Sequence, residues 1–258
     1  MKTYIQNLFI TLAFLASLSQ TARAADVSSY FVAKRQFFKQ TNSGPAVFQD
    51  PSSPYTFDTI VNANASSLVL GFSLKLPNGT SQSGTAESGG YFVGSSFPTL
   101  VALDTAYPAG QYVLTITNAN DGIKIVTNNL PASVYPSTPH VSNYDAAQQV
   151  NPLADFPVTW DAFTNGTTSD LILFKVSGAN GNTVFTRMLN GLANSVVIPG
   201  STLTADGTYS ARLTFDKIIN IDTASYPGAT GKPFSGCSQI SLSKLPIRPG
   251  SFRLPATP

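Results

Sequence analysis

The sequence contains few of the residue types that most often carry catalysis. Among 258 residues there are one cysteine, one histidine and one glutamate, namely Cys237, His140 and Glu87. A single cysteine cannot form an intramolecular disulfide bond. No pattern places His140 beside Cys237, or brings aspartates such as Asp155 and Asp161 onto one strand face, as acid–base chemistry requires. We therefore expect no catalytic residues and predict that the chain is not an enzyme.

Motifs for metals and cofactors are equally scarce. The stretch from Asn118 to Gly122 (NANDG) is rich in oxygen-bearing side chains. A calcium loop of the EF-hand type, however, has its glycine one position later and a glutamate further on. The single glutamate, Glu87, is remote from this stretch. We expect a hairpin turn here, no metal site and no cofactor.

Charge is sparse as well, since Asp, Glu, Lys and Arg make up 11% of the residues. Residues 1–24 contain Lys2 near the start, an apolar run over 8–18 and the small-x-small triplet Ala22-Arg23-Ala24. This pattern predicts a secretory signal peptide that is cleaved before Ala25. Of the 15 basic residues, 13 then remain, equal to the 13 acidic ones. We therefore expect neither a nucleic acid nor an anionic membrane as partner.

No long apolar run follows this segment. The run over 8–18 is itself much shorter than the roughly 20 residues that a membrane-spanning helix needs. We therefore predict no membrane span. An exported chain of this kind is expected to be secreted or exposed on the cell envelope, in an extracellular or periplasmic location.

Strand-forming residues are abundant, whereas straight-chain helix formers are scarce. Short apolar segments recur between turn dipeptides such as Asn78-Gly79, Asn180-Gly181 and Asn190-Gly191. These dipeptides suit tight hairpins, because both central positions of the favoured turn need a positive φ. The arrangement is typical of an all-β sandwich.

The candidate strands form two sets separated by a proline-rich stretch. The first set covers about 30–40, 55–63, 67–76, 91–95, 99–104, 111–118 and 122–128. The second covers about 140–150, 156–162, 170–177, 182–188, 195–199, 208–216 and 234–243. Two prolines within four residues make 135–139 a short, stiff linker. We therefore predict two tandem domains over 26–134 and 140–244, followed by a flexible tail over 245–258.

The two halves also resemble each other in sequence. Residues 68–74 (LVLGFSL) match residues 171–176 (LILFKV), and an Asn-Gly turn follows each segment. Further along, Gly110-Gln111-Tyr112 corresponds to Gly207-Thr208-Tyr209, and each triplet opens an alternating strand. We interpret these matches as a diverged tandem duplication.

The second half, over 136–244, resembles a fibronectin type III or related immunoglobulin-like domain. Val158-Thr159-Trp160-Asp161 matches the early strand that carries the core tryptophan of such domains. Leu203 precedes Tyr209 by six residues, as in the tyrosine corner of the family, although Ala205 stands where a proline is usual. The resemblance implies that Trp160 is buried and that the Tyr209 hydroxyl bonds the backbone upstream.

The first half, over 26–132, shares this resemblance through the internal repeat. Pro108 and Tyr112 are in place, but Ala106 replaces the leucine and the first half has no tryptophan. The resemblance implies a structural role for Tyr112 like that of Tyr209. It also implies a binding or spacer module, because the fold serves many functions and is rarely catalytic.

These observations predict an exported, non-catalytic binding, adhesive or structural spacer protein whose partner is a protein or polysaccharide at the cell surface. One alternative is a carbohydrate-binding module, which needs a row of exposed aromatic side chains. The candidates for such a row are Tyr91, Phe92, Phe97 and Tyr107. A more remote alternative is a secreted hydrolase, which needs a cleft with two carboxylates or a Cys–His contact.

Two further segments stand out in the sequence. Lys34, Arg35 and Lys39 form a small basic group, which we interpret as a solvated face or as protection of an edge strand. Residues 220–232 form a long glycine-rich loop, whereas the first half turns with residues 120–122 at the equivalent place. Loops of this length are often functional. We predict that this one binds a partner through Asp222, Tyr226 and Lys232, the alternative being a neutral insertion.

Overall fold

The computed structural model describes residues 24–87, 89–132, 135–205 and 207–246, with the backbone alone at 233 and 235–246. Most of the predicted signal peptide, residues 1–23, and most of the predicted tail, residues 247–258, lie outside the described residues.

Strands dominate both halves of the chain. The elements up to residue 130 are β1 (Val27–Gln40), β2 (Val47–Phe48), β3 (Tyr55–Ala63), β4 (Val69–Lys75), β5 (Ser81–Ser83), β6 (Thr85–Glu87), β7 (Gly90–Phe97), α1 (Leu100–Ala106), β8 (Gly110–Asn118) and β9 (Ile123–Leu130). The later elements are α2 (Tyr144–Ala147), β10 (Phe156–Thr159), β11 (Leu171–Gly178), β12 (Thr183–Asn190), β13 (Ser195–Ile198), β14 (Thr208–Ile218) and β15 (Thr230–Pro246). The predicted all-β class is confirmed.

Two segments that the sequence predicts as strands contain helices instead. Helix α1 covers the predicted strand at 99–104, and it begins where the Thr99 hydroxyl accepts a hydrogen bond from the backbone N–H of Ala102 (3.1 Å), a helix N-cap. In the predicted strand at 140–150, Val141 makes one isolated bridge and α2 follows. Among the described residues, no helix combines the length and the apolar character needed to cross a membrane.

One large sheet extends through both halves. Within the described residues it has nine strands, eight of them in the order β12-β11-β14-β15-β1-β3-β7-β6, with β2 paired to the end of β1. A four-stranded sheet, β5-β4-β8-β9, covers one part of it, and the pair β10-β13 covers another. Inward-facing side chains alternate along these strands, as in β8, where Tyr112, Leu114 and Ile116 are buried.

Strands β1 and β15 join the two halves. They run parallel from Ser29, opposite Thr230, to Gln40, opposite Leu242. On its other side β1 pairs with β3 of the first half, and β15 pairs with β14 of the second half. The central pair of the sheet thus comes from opposite ends of the described chain, and β15 includes the first two residues of the predicted tail. The division into two domains stays a prediction.

Two large clusters of buried side chains form the cores, and the described residues hold a third, small cluster of Ala33 and Phe234. The first lies between β1, β3 and β7 and the four-stranded sheet, and the second lies between β11 and β14 and the β10-β13 pair. Strand β1 contributes to both, since Tyr30 lies in the first core and Phe38 in the second. Tyr226 and Ala229, which precede β15, belong to the first core. Each core therefore contains residues from the other half of the chain.

The burial of Lys34 corrects the sequence-based interpretation of the basic group. Its side chain is 1% exposed and forms an ion pair with Asp104 of α1, with 2.5 Å between Nζ and Oδ1. Because β1 is a central strand and not an edge, its alternate residues face the first core. The carboxylate supplies the opposite charge that a buried ammonium group requires.

Candidate binding site

Trp160 lies in the second core. Its side chain is 3% exposed, and the indole Nε1 donates a hydrogen bond to the backbone carbonyl of Ala193 (3.0 Å). The ring stacks near Phe174, with 6.1 Å between centroids. An indole buried in this way presents no face to a ligand.

Tyr112 and Tyr209 bond to the backbone upstream of their strands. The Tyr112 hydroxyl donates to the carbonyl of Pro108 (2.7 Å), and the Tyr209 hydroxyl accepts from the backbone N–H of Thr204 (2.9 Å). Both rings are buried. A hydrogen bond between a tyrosine hydroxyl and the backbone a few residues upstream defines the tyrosine corner of immunoglobulin-like sandwiches.

Tyr226 is a core residue and not a surface residue. It is 1% exposed, and its hydroxyl donates a hydrogen bond to Oδ2 of Asp121 in the turn between β8 and β9 (2.7 Å). Burial, together with that carboxylate, raises the pKa of Tyr226 well above its ordinary value. Lys124 Nζ lies 5.6 Å from the ring centroid. The segment before β15 therefore anchors itself in the first half through this side chain.

Asp222 and Lys232 lie on either side of this anchor. Asp222 accepts hydrogen bonds from the Tyr30 hydroxyl (2.9 Å) and from the backbone N–H groups of Ala224 and Ser225. Burial opposes ionisation, but these hydrogen bonds outweigh it and lower the pKa of Asp222. Lys232 is partly exposed on β15 opposite Phe31. A binding role for this segment stays a prediction.

The oxygen-rich turn between β8 and β9 holds a buried carboxylate. Asp26 is fully buried and accepts hydrogen bonds from the backbone N–H groups of Asn120 (2.7 Å) and Asp121 (3.0 Å) and from the Asn120 side chain (2.9 Å). Its own N–H donates to Asp121 Oδ2 (2.7 Å). Within the described part of the chain, no three His, Cys, Asp or Glu side chains are grouped so that they could hold a metal ion.

The four aromatic residues proposed as a sugar-binding row do not line up. Tyr107 is 3% exposed and stacks on Phe57, with 3.7 Å between centroids. Tyr91 and Phe97 occupy the face of β7 that meets the first core, and the Tyr91 hydroxyl donates to the carbonyl of Leu70 (2.9 Å). Phe92 points to the opposite face. These positions form no continuous exposed surface.

The single histidine is bonded on both sides of its ring. Nδ1 of His140 lies 2.9 Å from Asp161 Oδ2, and Nε2 lies 3.1 Å from the carbonyl of Ser43. Asp155 makes a different contact, since it accepts a hydrogen bond from the backbone N–H of Gly200 (2.8 Å). Asp155 and Asp161 are thus not a catalytic pair, and the Cys237 side chain lies outside the described residues.

A cleft of about 490 Å³ lies on the face of the nine-stranded sheet that points away from the first core. Its lining comes from alternate positions of neighbouring strands, because residues i and i+2 share one face of a sheet. These residues are Arg35 and Phe37 on β1, Thr56, Asp58 and Ile60 on β3, Phe92 and Ser96 on β7, and Arg212 on β14, with residues 49, 50, 53 and 54 before β3.

Arg35 is held in a fixed position in this cleft. Its guanidinium carbon lies 5.1 Å from the centroid of the Phe31 ring and 5.3 Å from that of Phe234, distances at which a cation is attracted to a ring face. Its Nε lies 3.6 Å from Asp58 Oδ2, an ionic contact too long for a hydrogen bond. Among the described residues this buried Nε has no hydrogen-bond acceptor.

Asp58 is the carboxylate beside Arg35. Its side chain is 15% exposed and accepts a hydrogen bond from the Thr56 hydroxyl (3.2 Å). Burial raises the pKa of Asp58, and this effect exceeds the opposing effects of Arg35 and Thr56. No sequence motif marks this pair. Arg35 and Asp58 are brought together by the register in which β1 pairs with β3.

Comparisons with known proteins find similarity in structure only. No family model matches the chain, and no curated protein matches it. Among solved structures the chain is similar to a biofilm-associated protein BSP domain, at 15% identity and a TM-score of 0.25, with 84% of this chain and 30% of that one covered. The chain thus spans less than a third of the length of that protein.

Two further solved structures are similar to the chain. The FN1–FN3 domains of chicken CNTN1 share 11% identity at a TM-score of 0.28, covering 84% of this chain and 69% of that one. A cytokine receptor complex shares 14% identity at a TM-score of 0.23, covering 74% and 91%. The likeness to fibronectin type III and immunoglobulin-like modules rests on the face-packed strands and the two tyrosine corners.

Proposed function

We propose that this chain is an exported, non-catalytic protein of adhesive or spacer type, with a protein or polysaccharide partner at the cell surface. The observation that supports the proposal is the parallel pairing of β1 and β15 at the centre of a sheet shared by both halves. Export is inferred from residues 1–24 of the sequence. The pairing supports a stiff unit that holds its surfaces in a fixed relation.

The direction of the two strands determines how they respond to force. Because β1 and β15 are parallel, the beginning of β1 and the end of β15 lie at opposite ends of their ladder. A pull between Val27 and Pro246 therefore loads all the hydrogen bonds of the ladder at once, in shear. A pull at the same end of both strands opens those bonds one after another. A unit that resists tension along its length suits a spacer or an adhesive protein.

Single-molecule force spectroscopy tests this proposal in two pulling geometries. In the first, handles are attached before Ala25 and after Pro246. In the second, they are attached before Ala25 and at Ala224, an exposed residue ahead of β15. We expect a clearly higher unfolding force in the first geometry, because the same strand pair is sheared and not unzipped. Equal forces in the two geometries would remove the support for a load-bearing role.

A further inference from the structure

We propose that the cleft over β1, β3 and β7 is a binding site for a neutral carbohydrate. The inference deepens the adhesive part of the proposed function, on which it rests, by naming the chemistry of the partner. It is independent of the mechanical role of β1 and β15. The observations that support it are the polar pair in the cleft, the aromatic rings beside it and the balance of charge.

The polar pair offers one donor and one acceptor side by side. Arg35 lines the cleft with 23% of its side chain exposed, so its guanidinium offers N–H donors there. Asp58, whose Oδ2 lies 3.6 Å from Arg35 Nε, is 15% exposed and offers the acceptor. A sugar hydroxyl both donates and accepts, so a single hydroxyl, or two on adjacent carbons, satisfies both groups. Because Phe31 and Phe234 hold the guanidinium in place, little side-chain freedom is lost when a ligand binds.

Aromatic rings lie next to this pair. Phe37 and Phe92 line the cleft and are both partly exposed. The C–H face of a sugar ring is apolar and packs on such rings, while the hydroxyls at its edge reach polar groups. The volume of about 490 Å³ is within the range of roughly 300–1,000 Å³ that is usual for small-ligand sites.

Charge balance decides between a neutral and an acidic sugar. The cleft is lined by two arginines, Arg35 and Arg212, and two aspartates, Asp50 and Asp58. An anionic ligand beside Arg35 also approaches Asp58, a carboxylate that is already poorly solvated. Uncharged hydroxyls avoid this repulsion while using the same donor and acceptor. The arrangement therefore favours a neutral sugar over one that carries a carboxylate.

The test is titration of the chain that starts at Ala25 with cellotriose, maltotriose and N,N′,N″-triacetylchitotriose, monitored by NMR and calorimetry. Trigalacturonate serves as the anionic probe. We expect at least one neutral trisaccharide to bind. Its Kd is expected to rise at least tenfold in Asp58→Asn and in Phe92→Leu, and to stay unchanged in Asp145→Asn, which alters an exposed carboxylate outside the cleft.

Thermal unfolding of each variant keeps a folding defect apart from a binding defect. Asp58→Asn preserves the shape of the side chain and Phe92→Leu keeps it apolar, so both variants are expected to fold. The proposal is overturned if none of the three neutral sugars binds, if neither cleft variant weakens binding, or if trigalacturonate binds more tightly than all three. Those results leave the pulling experiment unaffected, so failure here is distinguishable from failure of the load-bearing proposal.

Discussion

In the second half of the chain the core is built around Trp160, and in the first half around the stack of Phe57 on Tyr107. Both halves keep a tyrosine whose hydroxyl bonds the backbone upstream, Tyr112 in the first and Tyr209 in the second. The two halves thus share the alternation of the strands and the tyrosine corner. The aromatic residues that fill the space between the sheets differ.

The halves differ in a second way, through what each receives from the other. The first core contains Tyr226 and Ala229 from the segment before β15, and the second contains Phe38 from the end of β1. Asp222 of the second half also accepts a hydrogen bond from the Tyr30 hydroxyl of the first half. Because neither core is complete within one half, we expect the two halves to be coupled in stability.

The largest expected effect comes from Phe57→Ala. Loss of a buried phenylalanine is expected to lower the free energy of unfolding by about 3–5 kcal/mol. If the halves are coupled, the urea midpoint followed by Trp160 fluorescence falls as well, although Trp160 is in the other core. The matched variant Phe174→Ala, next to Trp160, is expected to lower the midpoint to a similar extent. A Trp160 transition that stays at its original midpoint in Phe57→Ala would show that the halves unfold independently.

A second prediction compares two aspartates, Asp170 of the second half, which is fully buried, and Asp58 of the first half, which is partly buried. Asp170 is 1% exposed, and burial alone would raise its pKa. Hydrogen bonds from Lys217, Thr167 and the N–H of Ile218 outweigh burial and lower the pKa of Asp170. Its contribution to stability is therefore present above the unfolded pKa of about 3.9 and is lost as the pH falls through the lower folded value.

We expect Asp170→Asn to cost about 2–3 kcal/mol at pH 7, since it weakens charge-assisted hydrogen bonds. The difference in stability between Asp170→Asn and the unmutated chain should shrink below about pH 4.

The carboxylate of Asp58 has the opposite effect on stability, because its pKa is raised and its ionised form disfavours folding. Asp58→Asn is thus expected to be neutral or stabilising at pH 7. Urea midpoints measured between pH 3 and pH 7 check both predictions. A loss of stability in Asp170→Asn that does not change with pH would contradict the prediction for Asp170.

A smaller loss of stability than in Asp170→Asn is expected for Tyr226→Phe. The variant keeps the ring in the first core but removes the hydrogen bond to Asp121, a loss of about 1.5 kcal/mol for a carboxylate acceptor. Tyr91→Phe is the control, since its hydroxyl bonds a carbonyl at an exposed site, and it should lose less. Urea unfolding measures both. Equal losses would mean that the Tyr226 hydroxyl does not anchor the segment before β15.

The parts of the fold that depend on short-range pattern follow from the sequence. The alternation of Tyr112, Leu114 and Ile116 predicts strand β8 and the side that it buries. Helix α1 is not predicted in this way, because the spacing of its apolar residues fits both the two-residue period of a strand and the 3.6-residue period of a helix. Only Thr99, the N-cap, marks where the helix begins. Short apolar segments do not distinguish a strand from a two-turn helix.

What depends on pairing between distant segments does not follow from the sequence. Lys34 is buried because β1 lies at the centre of a sheet and meets Asp104, neither of which local sequence reveals. The lining of the cleft has the same origin, since Arg35 and Asp58 become neighbours only through strand register. Tyr226 lies in a segment whose composition indicates a loop, and its burial is decided by the first core.

The parallel pairing of β1 with β15 also determines when the large sheet can be completed during folding. About 200 residues separate Ser29 from its partner Thr230, so this ladder closes one of the longest loops the chain contains, and contacts of such separation slow folding. A chain that emerges from its amino-terminal end displays β1 with one side unpaired until β15 arrives. An open strand edge of fourteen residues is a template for wrong partners. The arrival of β15, and not the folding of the first half alone, is therefore the step that closes this edge.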